Sequence, residues 1–420
     1  MIYLDYNATA PMRPEVAARM QELLPLPLNP SSVHAAGREA KKYLENSRKI
    51  IADAISAWPN EIIFMASGTE ANATALRGIS GCRVLVSAIE HSSVLTSLSL
   101  RERAGVRDSQ QTRSERIAPH PNTLPEGEGI IPVTSSGIID LATLDKMLAS
   151  GGPALVSVML ANNETGVIQP ISEVSALCKK YGALLHCDAV QGLGKIPVDF
   201  GALGADMMTL SAHKCGGPLG AAALVVRREL PLVPLLTGGG QELGRRAGTE
   251  NVAAIAGFAR AVELIDFEQM RRLRGWLDMM ESQISLSLWE RAGVRDSQHT
   301  ETSNSGIDPH PNPLPEGEGI ALGQSAPRLP NTSCIAMPGV SNEVQLMNFD
   351  LGGFAVSAGS ACSSGRIEGS HVLAAMGVSK DLAGSAIRVS GGWKTTEEDI
   401  ISFTGVWKAI CERLAKREKP

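Results

Sequence analysis

Five short apolar runs, each beside a turn signal, constrain the fold of this chain more than any other feature of its sequence. They occupy residues 83–89, 154–160, 183–189, 206–212 and 220–227, and the first reads RVLVSAI. Strands that are apolar throughout, rather than alternating with polar residues, are buried on both faces. Helix-like stretches lie between several runs, and one of them, residues 171–182, ends in Gly182. This alternation predicts an α/β fold, with a mostly parallel sheet covered by helices on both faces.

A second domain is predicted beyond residue 255, where the pattern changes. Residues 251–284 read as a long amphipathic helix, and strands and helices follow it to the end of the chain. A chain of 420 residues is long enough for two domains with a large core. We therefore expect a large domain over residues 14–255. Residues 1–13 and 256–420 are expected to form a smaller α+β domain.

Composition and charge exclude several classes of function. The chain is 43% hydrophobic and 20% charged, with a formal net charge of -5, which gives no electrostatic reason to expect nucleic acid binding. Asp5 lies where a signal peptide would need a basic and then an apolar region. No run of about 18 apolar residues suggests a membrane span. We expect a cytoplasmic protein.

The cysteines argue against a disulfide framework and against a metal site. Disulfide scaffolds and zinc ribbons need close or paired cysteines, whereas the seven cysteines here are widely spaced without a CxxC pair. We expect most of them to be buried as small apolar side chains. The exception is Cys362, which lies in SAGSACSSGR at residues 357–366, a run with no periodicity and little to bury.

Two stretches of the chain nearly copy each other. Residues 97–110 and 285–298 share SLSL and ERAGVRDSQ, and each copy is followed by PHPN and LPEGEGI. Two copies rich in Pro, Gly and charge cannot stack into a repeat architecture or bury much apolar surface. We interpret them as two surface insertions of common origin, at about 101–129 and 289–319, exposed, poorly ordered and away from Lys214. A role as paired binding arms is the alternative.

Three strand ends carry side chains suited to chemistry. FMASGTEANATAL, at residues 64–76, runs from a strand through a small-residue turn into a helix, a geometry that binds anions or forms a plain N-cap. Asp188 ends another strand, with Gln191 three residues on, either at a ligand-binding sheet edge or as a helix cap. LSAHKCGGP, at residues 210–218, ends the next strand with Lys214, a candidate Schiff-base nucleophile or else a surface lysine.

Together these stretches resemble the fold-type I pyridoxal-phosphate enzymes, and further motifs resemble the cysteine desulfurase family. Those motifs are YLDYNATAP at the start, EHSSV, NNETG, GGGQELGRRAGTEN and SAGSACSSG, at residues 90–94, 162–166, 238–251 and 357–365 for the last four. The resemblance covers the chain except for the two insertions. It implies a mostly parallel, roughly seven-stranded sheet with a smaller α+β C-terminal domain. It also implies conversion of L-cysteine to L-alanine, with the sulfur passed to acceptors for iron–sulfur cluster or other sulfur-containing cofactor synthesis.

The resemblance implies roles for the residues around the cofactor. Lys214 would hold pyridoxal phosphate covalently and later move protons at the substrate, and Asp188 would pair with the pyridine nitrogen. Gln191 would bind the phenolic oxygen, and His91 would stack on the ring and assist proton transfer. The remaining cofactor-binding residues, mostly at the phosphate, would be Gly68, Thr69, Glu70, Ser211, His213 and, from the partner of a homodimer, Thr249.

The substrate and the sulfur would be handled by three more residues. Asn163 and Arg388 would hold the substrate carboxylate, since an arginine grips a carboxylate in a planar, bidentate manner. The thiolate of Cys362 would attack the substrate sulfur and become a persulfide. A loop of ten residues can extend roughly 30 Å, so one thiol could visit both the cofactor and an acceptor protein such as an iron–sulfur scaffold.

Two alternatives stay open at this point. Another pyridoxal-phosphate enzyme, such as an aminotransferase or a selenocysteine lyase, would share the cofactor residues, although transamination needs no mobile thiol. A sulfur-transfer scaffold disabled by its insertions is the other alternative, against which every residue with an implied catalytic role is present. Bound cofactor, visible as a yellow colour, separates the second alternative from an enzyme.

Overall fold

The computed structural model describes residues 1–103, 129–291, 321–359 and 369–415. The strands are β1 (Ile2–Tyr3), β2 (Ile62–Met65), β3 (Arg83–Ser87), β4 (Gly129–Ile131), β5 (Ala154–Met159), β6 (Leu184–Asp188), β7 (Met207–Ser211), β8 (Ala222–Val226), β9 (Thr332–Ala336), β10 (Phe354–Ala355) and β11 (Ala386–Ser390). The helices are α1 (Pro14–Leu23), α2 (Ala35–Ala54), α3 (Gly68–Arg77), α4 (Ser92–Arg103), α5 (Leu141–Ala149), α6 (Ile171–Tyr181), α7 (Phe200–Leu203), α8 (Val252–Glu263), α9 (Phe267–Arg291), α10 (Asn342–Leu351), α11 (His371–Ala375), α12 (Lys380–Gly384) and α13 (Glu397–Ala415).

A seven-stranded sheet forms the centre of the described structure, in the order β2-β8-β7-β6-β5-β3-β4. The strands β7, β6, β5, β3 and β4 pair in parallel, while β8 is antiparallel to both β2 and β7. The predicted α/β fold with a mostly parallel sheet is confirmed. All five apolar runs are strands, but a run that is apolar throughout carries no information on direction, so the antiparallel β8 could not be foreseen.

Both faces of this sheet are buried. Ile62 and Phe64 of β2 belong to one hydrophobic cluster, whereas Ile63 and Met65 belong to another. Successive side chains of a strand point to opposite faces, so the two clusters are the two sides of the sheet. Helices α1, α2 and α8 pack together, and α3 packs against the neighbouring strands.

The amphipathic stretch at residues 251–284 forms two helices rather than one. The first, α8, ends at Glu263, and α9 begins at Phe267. The Asp266 carboxylate accepts hydrogen bonds from the backbone N–H groups of Glu268 and Gln269, at 2.9 and 3.0 Å. An aspartate in this position caps a new helix, and this is the local signal that the periodicity obscured.

A third large cluster lies among the later elements of the chain. It includes Trp407, Phe403 and Phe349, with the two phenylalanine rings stacked at 4.8 Å, and it also includes Leu4 near the start. The paired strands β9 and β11 and the helices α9 and α13 contribute to it. The division into residues 14–255 and the rest of the chain stays a prediction.

Three predictions fall on parts of the chain outside the described residues. The first residues of each repeat copy, 97–103 and 285–291, continue α4 and α9. The rest of each insertion falls mostly on 104–128 and 292–320, so its predicted exposure and disorder lie outside the described residues. The same holds for Cys362 and its predicted loop motion.

Within the described ranges, no helix has the length and apolar character that crossing a bilayer requires.

Candidate active site

The predicted strand ends meet at one edge of the sheet. Asp188 is the last residue of β6 and pairs in register with Thr209 of the adjacent parallel strand β7. Ser211 ends β7, and Lys214 follows in a short 3-10 turn. Because the carboxyl ends of parallel strands lie at one edge, local sequence and sheet direction together bring these groups to the same place.

The amine of Lys214 lies against the N-terminal segment. Its Nζ donates to the main-chain oxygens of Asn7 and Ala8, at 2.6 and 2.8 Å. The side chain is half-buried rather than extended into solvent. This placement differs from that of a plain surface lysine, while the role of Lys214 stays a prediction.

Asp188 is buried and held through both carboxylate oxygens. Its Oδ2 accepts from Nδ2 of Asn72 at 2.7 Å, and its Oδ1 accepts from the backbone N–H of Val190 at 3.0 Å. The second contact is local, but residues 190–195 form a turn and not the helix that the alternative of a helix cap required. The first comes from α3, 116 residues away in sequence, and it was not anticipated.

A second carboxyl group, that of Glu90, lies fully buried near Asp188. Its Oε1 accepts from the backbone N–H of Met159 at 2.6 Å, while its Oε2 has no partner among the described residues. Burial raises the pKa of Glu90 well above its usual value, and the negative charge of Asp188 raises it further. Burial therefore favours the protonated, neutral form of Glu90.

His91 lies at the first turn of α4. Its Nδ1 is 2.9 Å from Oγ of Ser93 and accepts from the backbone N–H of that residue at 3.1 Å. Burial lowers the pKa of His91. The charge of Asp188 acts in the opposite direction, whereas the electrostatic effects of Lys214 and His371 lower this pKa further. Hydrogen bonds through Ser93 and Asn72 connect His91 to Asp188, while its stacking on the cofactor stays a prediction.

The N-terminus of α3 is the predicted anion-binding end of the site. Ser67 caps the helix by accepting from the backbone N–H of Glu70 at 3.1 Å, and Oε2 of Glu70 accepts from Ala66 at 2.7 Å. A side chain at Gly68 would place Cβ 3.2 Å from Val190, so glycine lets α3 approach the sheet edge. Glu70 is also paired with Arg246 at 2.8 Å, so its carboxylate is taken up by protein contacts.

The hydroxyl groups predicted at this end are available. Those of Thr69 and Ser211 have no hydrogen-bond partner in the part of the chain that the structure describes. His213 lies beside them in sequence and contacts Oγ1 of Thr9 through Nδ1 at 3.2 Å. Burial, and then the positive charges of Lys214 and Lys195, lower the pKa of His213 to about 4.

Gln191 is tied into a network that sequence reasoning missed. Its Nε2 donates to the main-chain oxygen of Asn7 at 3.0 Å, and its Oε1 accepts from Nζ of the fully buried Lys195. Lys195 also donates to Oδ1 of Asn7 at 2.9 Å, and burial lowers its pKa well below the usual value. The available signal was the spacing of four residues between Gln191 and Lys195, which places both on one side of the turn.

Asn7 is the centre of this network. It accepts from Lys214, Gln191 and Lys195, and its Nδ2 donates to the main-chain oxygen of Asn163 at 3.1 Å. Asn7 belongs to the motif YLDYNATAP, which supports the family resemblance, but the resemblance implied no role for Asn7 itself. The contacts show that Asn7 links the lysine to the segment predicted to bind substrate.

Arg388 and Asn163 lie together, as predicted, but the arginine already has an acidic partner. Nη2 of Arg388 donates to Oδ1 of Asp5 at 2.5 Å, and Nη1 donates to the main-chain oxygen of Asn163 at 3.0 Å. The Nε atom of Arg388 is buried and without a partner among the described residues. The guanidinium is thus held in place while its Nε–H stays available as a donor.

Thr249 is exposed on this chain, in the segment at residues 238–251. The segment is anchored by Glu242, which is buried and accepts from Arg48 at 2.8 and 2.9 Å. Glu242 and Leu243 both have positive φ angles, 47° and 58°, which are unusual for residues other than glycine. The ion pair holds a strained turn that presents Leu243 and Thr249 to the outside.

Most cysteines are buried, as predicted. Of the six that the structure describes, all but Cys82 are buried: Cys178, Cys187, Cys215, Cys334 and Cys411. Burial raises the pKa of both Cys215 and Cys334 to about 12, which keeps these thiols protonated. Cys362 lies outside the described residues.

Comparisons with known proteins agree on one family. The profile of the class-V aminotransferases matches residues 2–119 and 129–308. A protein of Dictyoglomus turgidum named cysteine desulfurase IscS is 36% identical over 420 aligned residues, which cover 98% of this chain and 95% of the relative.

Solved structures lead to the same group. The NifS-like protein from Rickettsia africae matches with a TM-score of 0.78 and 34% identity, over 98% of this chain and 99% of that one. A second structure, SspA in complex with cysteine, matches with a TM-score of 0.69 and 26% identity, over 93% of this chain and 98% of that one.

Proposed function

The chain belongs to the class-V aminotransferase family, as a pyridoxal-phosphate-dependent cysteine desulfurase, and we propose roles for its residues on that premise. Lys214 would hold the cofactor, and Cys362 would receive the sulfur of L-cysteine. The observation that carries the proposal is the meeting of Lys214, Asp188 and the N-terminus of α3 at one sheet edge. An amine, a carboxylate and an anion site are the three groups that this cofactor requires.

The residues present fit pyridoxal phosphate. The positive end of α3 and the unengaged hydroxyls of Thr69 and Ser211 suit a phosphate group. His213, neutral because of its lowered pKa, can donate one further hydrogen bond there. Asp188 offers a buried carboxylate for the pyridine nitrogen, and Gln191 offers an amide for the phenolic oxygen. Gly68 leaves room for close approach.

When bound, pyridoxal phosphate supplies an electron sink for the bonds at the substrate α-carbon. The protein supplies orientation and proton handling. Lys214 would hold the cofactor and then, as a free amine, move the proton of the α-carbon, for which its place beside Asn7 and Ala8 fixes the direction. His91 would lie over the ring.

Arg388 and Asn163 would recognise the carboxylate of the amino acid substrate. The buried Nε of Arg388 lacks a partner in the described part of the chain, and a carboxylate can accept from it. The contacts of Arg388 with Asp5 and with Asn163 hold the guanidinium so that binding needs little reordering. One of the solved relatives contains cysteine, which supports the same substrate here.

In the sulfur step, the thiolate of Cys362 would attack the sulfur of the substrate. The new bond joins the two sulfur atoms, the bond between Cβ and sulfur breaks, and its electron pair stays on carbon. A proton at that carbon completes L-alanine, and Cys362 is left as a persulfide. L-Cysteine and one thiol therefore become L-alanine and one persulfide, with no external oxidant or reductant.

The choice of thiol is supported by what the other cysteines cannot do. A nucleophilic thiol needs thiolate character and access, and Cys215 and Cys334 have neither, because burial raises the pKa of each to about 12. Cys82 is partly exposed but lies just before β3, at the opposite end of the strands from Asp188. Cys362 lies in a run of small residues that can bring it to more than one place.

A homodimer is part of the proposal. Thr249 and Leu243 are exposed on a segment that a buried ion pair holds rigidly, and a rigid outward segment suits insertion into a second subunit. Thr249 would then complete the phosphate site of the partner. We also propose a location in the cytoplasm and transfer of the persulfide sulfur to an acceptor protein of iron–sulfur cluster assembly.

The test is formation of alanine and sulfide from L-cysteine in the presence of a reducing thiol. Equal amounts of the two products are expected. The Cys362→Ser variant should bind cofactor and cysteine but form no persulfide, whereas the control Cys82→Ser should behave as the wild type. Transamination without sulfide release, or a persulfide that forms normally in Cys362→Ser, would contradict the proposal. Absence of a cofactor absorption band would instead favour a scaffold.

A further inference from the structure

His91 is the N-cap residue of α4. Its main-chain oxygen accepts from the backbone N–H of Leu95 at 3.2 Å, which is the first hydrogen bond of the helix. Its side chain accepts from the backbone N–H of Ser93 at 3.1 Å, through Nδ1. A backbone N–H at a helix start is a fixed donor that cannot reverse its role. In this arrangement Nδ1 carries no proton.

The hydrogen bonds around Asn72 give the direction of the remaining protons. The amide nitrogen of Asn72 donates to Oδ2 of Asp188 at 2.7 Å. The second amide hydrogen goes to Oγ of Ser93 at 2.9 Å. The opposite amide orientation would place Oδ1 of Asn72 against the carboxylate oxygen, where two acceptors repel each other.

Since Ser93 Oγ receives a hydrogen from Asn72, its own hydrogen is free for Nδ1 of His91 at 2.9 Å. A continuous chain of hydrogen bonds therefore runs from Asp188 through Asn72 and Ser93 to His91. The backbone N–H of Ser93 donates to Nδ1, and the hydroxyl of Ser93 is placed to donate to the same atom. The neutral imidazole must keep its one hydrogen on Nε2.

We propose that Asn72 and Ser93 are positioning residues that hold His91 as the neutral Nε2–H tautomer, so that His91 serves the reaction as a hydrogen-bond donor and not as a base. The tautomer follows from the geometry alone, while its use in catalysis rests on the proposed function. Proton movement at the substrate is then left to Lys214. Nε2 of His91 stabilises negative charge that develops within its reach.

The charged groups around His91 favour the same form. Asp188 favours the imidazolium, whereas burial, Lys214 and His371 favour the neutral ring, and the pKa of His91 is lowered in balance. Burial raises the pKa of Glu90, the preceding residue, and so favours its neutral form, which would add no opposing charge. The positive end of α4 also disfavours a cation at its N-cap.

The first experiment reads the tautomer directly. Nitrogen NMR of the full chain with labelled histidine, with and without cofactor, should show a hydrogen on Nε2 and none on Nδ1 of His91. The signal is assigned by its loss in His91→Gln. The pKa of His91 should lie below the usual value of about 6.5, because burial disfavours the imidazolium. A hydrogen on Nδ1 of the neutral ring would overturn the proposal.

The second experiment separates positioning from packing. Ser93→Ala removes one of the two donors to Nδ1, while the backbone N–H of residue 93 remains. It should therefore weaken the preference for the Nε2–H tautomer, raise the pKa of His91 and lower kcat about tenfold with little change in KM. Ser93→Thr keeps the hydroxyl and should restore both the NMR signal and kcat. Ser92→Ala, the same deletion at the exposed neighbouring position, is the matched control. An unchanged tautomer and kcat in Ser93→Ala would refute the role of Ser93.

The variant Asn72→Ala tests the role of Asn72, with the NMR signals of the His91 ring nitrogens as the readout. If this chain of hydrogen bonds acts as proposed, His91 becomes a mixture of the Nε2–H and Nδ1–H tautomers, because Ser93 is free to turn its hydroxyl away from Nδ1. An Nε2–H tautomer as pure as in the wild type would show that Ser93 needs no help from Asn72. These NMR results do not depend on turnover, so absence of desulfurase activity in the wild type would refute the proposed function and leave the tautomer assignment standing.

Discussion

Oδ1 of Asp5 accepts a hydrogen bond from Nη2 of Arg388 at 2.5 Å, so the arginine proposed to bind the substrate carboxylate already has a carboxylate beside it. Arg388 is buried, at 3% exposure, and Asp5 is only partly exposed. Asp5 stabilises a cation that would otherwise be costly to bury. It also neutralises part of the charge that attracts the substrate.

Asp5→Asn is therefore expected to change binding and stability in opposite directions. The variant keeps the shape of the side chain but leaves Arg388 more positive, so KM for L-cysteine should fall about threefold or more. The melting temperature should fall, because a buried cation loses its partner. Steady-state kinetics and thermal unfolding check both. Asp350→Asn, at an exposed position, is the control. A raised KM would mean that Asp5 mainly orients Arg388.

Borohydride reduction of the holoenzyme should fix the cofactor on the peptide that contains Lys214. Lys195 is the sharpest competitor, since it is buried and shares Asn7 as a hydrogen-bond partner with Lys214. Lys214→Ala should lose the covalent label and all turnover, whereas Lys195→Met should keep the label. Mass spectrometry of the digested protein distinguishes the two sites. A label on Lys195 would show that the wrong lysine was chosen.

A mixed dimer tests whether Thr249 acts across subunits. Lys214→Ala and Thr249→Val chains, each inactive or weak alone, are co-expressed with different tags and purified as a heterodimer. If Thr249 serves its partner, one of the two sites is intact and about half of the wild-type activity returns. If Thr249 serves its own chain, the heterodimer stays as weak as its parents. A monomer with full activity would contradict the dimer itself.

His186 should make folding stability depend on pH. It is fully buried in β6, where Ser157 contacts its Nδ1 at 2.8 Å and Thr209 contacts its Nε2 at 3.0 Å. Burial lowers the pKa of His186 to about 4, with Asp188 opposing. The unfolded chain binds this proton below about pH 6.5 and the folded chain only near 4, so this contribution is present above 6.5. It falls by about 3 kcal/mol as the pH drops between those values.

The check is denaturant unfolding at about pH 7.5 and about pH 4.5, for the wild type and for His186→Asn. The variant should be less stable at the higher pH, because two hydroxyl contacts are lost. It should lose less stability than the wild type on acidification. Equal losses in both proteins would mean that His186 does not titrate as proposed.

Much of the fold and part of the site could be predicted because their signals are local. An apolar run, a glycine after a helix and a polar residue at a strand end each depend on a few neighbouring residues. Such signals placed Asp188 and Lys214 at strand ends, and the family motifs assigned their roles. Pattern length alone, however, did not reveal the break at Asp266 or the antiparallel direction of β8. The domain limits and the character of both insertions stay predictions.

The tertiary structure decided how the site is held together. Asn7 contacts Lys214 across 207 positions of sequence, and Asp5 meets Arg388 across 383. Asn72 reaches Asp188 and Ser93 only because α3 packs beside β6 and α4. No periodicity or turn signal encodes a hydrogen bond between residues so far apart. The sequence therefore determined which chemical groups stand at the sheet edge, whereas packing of distant segments determined their protons, partners and charges, because those depend on what surrounds each group in space.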